Sequence, residues 1–199
     1  MTDQSVEDDI AFIRRTVEGG RAFARGRSAD LLVWGLFIAA GYLATYAYVR
    51  GWITLAPGWI WMAATGVPWI YSLRRAGARL LGLPLSPRSK SPMATALSML
   101  WLGCGIFIMT LVFAGAWNGA VHFVGFDAVV AGIMGIAFFA GSFLCNLVWM
   151  RAVAIAWWIG EFLLYGLRGP GVLLAGAAMM VLLLALPGLV LLAGRRWPA

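Results

Sequence analysis

"GVLLAGAAMMVLLLALPGLVLLAG", residues 171–194, runs for 24 residues without a charged side chain. A helix of about 20 apolar residues crosses the hydrocarbon core of a bilayer, so this stretch reads as a transmembrane helix. Pro187-Gly188 is expected to kink it. Arg195-Arg196 follow directly and hold its end at a membrane surface. Because the stretch carries no polar group on any side, it is expected to be among the most lipid-exposed helices of the chain.

The rest of the chain repeats this pattern. It is 62% hydrophobic and only 12% charged, about half the charge of a soluble globular domain, so lipid is its natural solvent. Apolar runs at roughly 30–49, 53–73, 93–116, 126–147 and 150–167 give five more spans before the one at 171–194. Arg50-Gly51 ends the first, and Arg74-Arg75 stop the second. Ser91-Pro92 reads as the N-cap and first residue of the third. The weakest boundary lies between spans four and five, where no Gly or Pro marks a turn. A helix lying on the surface would need a strongly polar face, and residues 148–168 offer only Arg151, Glu161 and Arg168, so they too read as a span.

The expected fold is therefore all-α: six transmembrane helices over 30–196, with a basic cytoplasmic loop at 74–92. Residues 1–29 form a preceding cytoplasmic segment that holds a short amphipathic helix. In that segment Ser5 and Asp8 resemble a capping box, and Val6, Ile10, Ile13, Val17 and Ala24 share one arc at helical spacing. Residues 1–9 are acidic and the first long apolar run begins near residue 31, so no cleaved leader is expected.

Counting Lys and Arg fixes the orientation. With the N-terminus cytoplasmic, one side receives 13 of the 15 positive charges and the other only Arg50 and Arg168. Both termini are thus expected in the cytoplasm, of a bacterial inner membrane. The same reading turns the net charge of +7 into a topology signal, with no nucleic-acid partner implied. Arg14, Arg15, Arg74 and Arg75 are placed to meet anionic lipid.

Much chemistry is excluded. The chain has no phosphate loop, no Gly-x-Ser-x-Gly and no His-Glu-x-x-His. Its one histidine, His122, cannot build a multi-histidine metal or haem site, and its one lysine, Lys90, lies in a loop. No catalytic residue and no metal site are expected, and no cofactor is named. Tryptophans at 61, 101, 157 and 158 lie deep enough to bind a quinone, a porphyrin or a carotenoid, although such residues more often face lipid or fill a core. Cys104 and Cys145 fall at different depths, so no disulfide is expected.

Two constellations remain. Gly125, Ala128, Gly132, Gly135, Ser142 and Asn146 share one face of span four, interrupted by Phe139. Small residues let helices approach closely in lipid, so span four is expected to be the central packing helix. His122, Asp127, Glu161 and Arg168 all fall in the outer half of the membrane and form a candidate polar cluster. Glu161 should point into the bundle or a partner, since an intramembrane charge facing lipid is costly. The expected function is that of a non-enzymatic accessory, assembly or regulatory subunit. It would act by helix–helix association with a membrane-protein partner or with further copies of itself. The alternative is a small proton-coupled permease using Asp127 and Glu161.

Overall fold

The computed structural model describes residues 26–80, 92–115 and 123–194, and no strand occurs among them. The amphipathic helix expected within 1–29, with Arg14 and Arg15, lies outside the described residues apart from its last few positions. Helix α1 covers Ser28–Val49 and α2 covers Pro57–Leu80. Helix α3 covers Pro92–Thr110 and continues through a π turn, Leu111–Gly115. Helices α4 and α5 cover Phe123–Cys145 and Val148–Gly166. Helix α6 runs over Gly171–Ala193 and holds a π turn at Val181–Ala185, just before Pro187 removes a backbone donor. Helices suit lipid because every interior backbone N–H finds its carbonyl within the same segment.

Five of these helices are long and apolar enough to cross a membrane: α1, α4, α5, α6 and the Met93–Phe113 part of α3. Helix α2 is long enough at 24 residues but less apolar. It carries three tryptophans, two prolines and, at its end, Arg74, Arg75 and Arg79. It starts at Pro57 rather than at residue 53, and Arg74-Arg75 do not end it. Arginine is a good helix former, so the charges limit the apolar stretch and the helix runs on to Leu80.

The turn between α4 and α5 consists of Asn146 and Leu147. Leu147 N–H donates to Ser142 O at 3.0 Å and Asn146 N–H to Phe143 O at 3.2 Å, the paired bonds of a Schellman C-cap. Asn146 takes the left-handed conformation this motif needs, with φ of 50°. A polar residue with the right turn chemistry thus marks the boundary that no Gly or Pro signals.

Helix α1 packs most extensively on α6 and also packs on α2, while α4 and α5 form the other closely packed pair. Of the five spans α4 is the most enclosed, with 56% of its window buried, and α3 the least, with 6%. Helix α6 is not among the most lipid-exposed helices: at 33% its burial is second to that of α4. Small residues account for this. Gly176, Ala177, Ala185 and Gly188 give α6 a close-packing side, while Leu182, Leu189 and Val190 remain exposed. A Cβ placed on Gly188 would lie 2.6 Å from Leu32 N and 2.7 Å from Ser28 O, so α6 rests on the backbone of α1.

Candidate functional site

Helix α3 packs substantially on α4 alone, and α2 packs on α1. Between these pairs lies a cleft of about 700 Å3, within the size range of small-molecule sites. Its walls carry Trp34, Trp61, Trp69 and Trp101, with Leu97, Ile108, Phe126 and Phe138. Trp59, Met62, Leu102 and Phe113 also line it and are exposed, so it opens toward lipid between α2 and α3.

The aromatic wall is ordered by edge-to-face contacts, the arrangement that ring quadrupoles favour. Trp34 and Trp69 meet at 5.8 Å and 81°, Tyr42 and Trp61 at 5.0 Å and 89°, Trp101 and Phe138 at 5.3 Å and 90°. Several polar atoms along the cleft have nearby partners. Trp34 Nε1 donates to Ser72 Oγ at 3.1 Å. The hydroxyls of Thr45 and Thr65 donate to Gly41 O and Trp61 O of their own helices, leaving their methyl groups to the cleft. At the α1 N-terminal end, Arg27 and Asp30 approach to 3.9 Å.

A pair joining two helices lies toward the other end. Tyr42 is 3% exposed and its hydroxyl donates to Asp127 Oδ1 at 2.7 Å. Its ring is held between Trp61 and the bare backbone of Gly176, where an added Cβ would sit 2.8 Å from Tyr42 Cε1. Two helices and one glycine thus aim a hydroxyl at a carboxylate on the cleft wall. Tyr42, Thr45 and Tyr46 give span one a mildly polar stripe in the sequence. What the sequence does not give is the pairing of Tyr42 with Asp127, which lies 85 residues away.

Of the candidate polar cluster, the described residues Asp127, Glu161 and Arg168 lie apart. Asp127 meets Tyr42 of α1. Glu161 packs at the α4–α5 interface, where a Cβ added to Gly132 would lie 2.9 Å from each of its carboxylate oxygens. Arg168 and Tyr165 are exposed, and no ion pair joins Glu161 to Arg168 among the described residues. Helix α5 ends at Gly166 and Leu167 is extended, with ψ of 144°, so the helical register that would stack Arg168 over Glu161 stops short of it. His122 lies outside the described residues.

The small residues of span four lie in different surroundings. Ala128 and Ser142 are fully buried. Gly132 and Gly135 receive Glu161 and Trp158 of α5, and Trp158 Nε1 donates to Gly132 O at 3.3 Å. Ser142 does not bond across the interface, because its hydroxyl donates to Phe139 O of its own helix at 2.6 Å. Gly125 faces open space, and Asn146 is an exposed turn residue beyond the helix end. The Arg151 guanidinium stacks on Phe143 at 4.4 Å, a contact for which the sequence gives no signal. Cys104 and Cys145 are free thiols. Among the described residues no three His, Cys, Asp or Glu side chains gather as metal ligands. Comparison with protein-family models, curated proteins and solved structures returns no match to this chain.

Proposed function

We propose a six-span protein of a bacterial inner membrane, both termini cytoplasmic, that acts by binding within the bilayer and not by catalysis. In this reading it serves a membrane complex as an accessory or regulatory subunit, and the cleft between α2 and α3 is its working part. The observation that carries the proposal is an apolar, aromatic cleft, open between α2 and α3, with the Tyr42–Asp127 hydrogen bond on its wall. Counting α2 as the sixth span is supported by its packing along α1 and by the basic asymmetry. With only five crossings, the basic segments would fall on both sides of the membrane.

The lining on α1 runs from Arg27 to Thr45, about 27 Å of helix at 1.5 Å per residue. A cleft of that length suits an elongated molecule. The test is to extract protein purified in mild detergent and analyse its lipophilic content by mass spectrometry. One compound enriched over bulk lipid, near one per chain, is the expected result. A profile identical to bulk lipid would overturn the reading.

A second reading, association with a partner's transmembrane helix or another copy, is favoured by the light burial of α3. A photo-crosslinker at Met99 of α3 would then give a discrete protein adduct, and one at Ile155 of α5 would not. The permease alternative draws support from Asp127 on the cleft wall and loses it at Glu161, which Gly132 of α4 covers. If Glu161→Gln assembled normally but abolished a proton-dependent flux, the permease would replace the binding protein.

A further inference from the structure

We infer that the cleft takes an elongated lipophilic cation, an amphiphile whose protonated-amine or quaternary-ammonium head sits on the Asp127 carboxylate. The inference rests on the cleft being a binding site and names its ligand class.

The polar atoms of the cleft decide between head groups. A carbonyl or quinone oxygen needs a donor. Beside Asp127 the hydroxyl donor, Tyr42, is engaged by the carboxylate itself, and Trp34, Thr45 and Thr65 donate to Ser72 and to their own helices; the other donors of the lining include indole N–H groups. An anionic head would meet the Asp127 charge. A cation finds what it needs. A carboxylate has about four lone-pair positions, and Asp127 accepts one described hydrogen bond, from Tyr42. The lining cation is Arg27, near Asp30 and about 22 Å along α1 from Tyr42. Within the bilayer a carboxylate calls for a compensating charge.

The surroundings suit a soft cation. Trp61 stands edge-to-face with Tyr42 at 5.0 Å, and Phe126 adjoins Asp127 on the same wall. Aromatic faces attract ammonium groups, most strongly where water is excluded. Helix α4 begins at Phe123, so Asp127 lies at its first turns, and the cleft runs from there past Trp101 toward Trp69 and Trp34. The ligand is thereby oriented, with its head at Asp127 and its apolar body along the tryptophans.

The test uses two rods of one shape, neutral diphenylhexatriene and its trimethylammonium derivative, with protein in lipid nanodiscs. Energy transfer from tryptophan reports binding, and protein-free nanodiscs give the background. The expected result is saturable transfer to the cationic probe with at least about tenfold preference over the neutral one. Asp127→Asn should abolish that preference. Glu161→Gln removes the same charge outside the cleft and should leave the preference intact. Should Asp127→Asn fail to fold, wild-type protein decides: a long-chain primary amine should displace the probe and the alcohol of equal length should not. Equal saturable binding of both probes would overturn the cation inference and leave the binding site standing. No saturable transfer from either probe would overturn both.

Discussion

Gly35 gives the sharpest test of how the bundle is held. A Cβ built on it would lie 2.8 Å from both Cα and Cβ of Ala185. Nonbonded carbons rest at about 3.5–4.0 Å, so Gly35→Ala must part the helices by roughly 1 Å at that point. The obstacle is backbone and cannot swing aside. Gly188 makes the reciprocal approach to Ser28 and Leu32 one crossing away, so α1 cannot tilt about Gly35 to make room. Overpacking of this kind costs about 1–3 kcal/mol. Alanine returns about 0.5–1 kcal/mol of helix propensity, leaving a net loss of about 0.5–2 kcal/mol. For a chain of this length the unfolding midpoint should fall by about 1–8 °C. Gly103→Ala is the matched control: nothing lies within 4 Å of its added Cβ, so only the propensity gain remains and its midpoint should hold or rise. Both are measured as the monodisperse fraction surviving heating in one mild detergent. A Gly35→Ala protein as stable as the parent, or a Gly103→Ala protein equally weakened, would refute the backbone-on-backbone crossing.

Tyr42→Phe deprives Asp127 of its described hydrogen bond and should cost about 1–3 kcal/mol in the same assay; a neutral effect would deny the pair any structural weight. Asn146→Gly should be tolerated and Asn146→Val should lose about 1–2 kcal/mol, because only the former accepts a left-handed backbone readily. Equal stability of the two would mean the turn is not held at positive φ. A cysteine at Pro198 should be protected from an impermeant thiol reagent in intact cells. Labelling from outside would make the number of crossings odd and remove α2 from the spans.

The helices were legible because hydropathy in lipid is a strong signal: predicted and observed ends differ by a few residues, except where α2 runs on to Leu80. What hydropathy does not distinguish is a helix face touching lipid from one touching another helix, since both are apolar. That is why 171–194 read as lipid-facing although Gly176, Ala177, Ala185 and Gly188 place its small side on α1. Helical spacing alone assigned Asn146 to the packing face, and turn chemistry decided otherwise. Trp34 and Trp69 lie near span ends, where indole rings favour the membrane interface, yet they line the cleft. Position along the chain gives depth and leaves facing open. The Tyr42–Asp127 pair needed the placement of α1 against α4, which no local pattern encodes.

The two-residue turn between α4 and α5 bears on how the chain enters the membrane. Helix α5 has the lowest mean hydropathy of the five candidate spans, 1.3 against 2.2 for α4, and carries both Arg151 and Glu161. Such a segment partitions weakly when it leaves the translocation channel alone. Asn146 and Leu147 provide no slack for one helix to settle while the other waits outside. The 44 residues from Phe123 to Gly166 must therefore pass into lipid as one folded hairpin. Within that hairpin Glu161 is seated against Gly132 of α4.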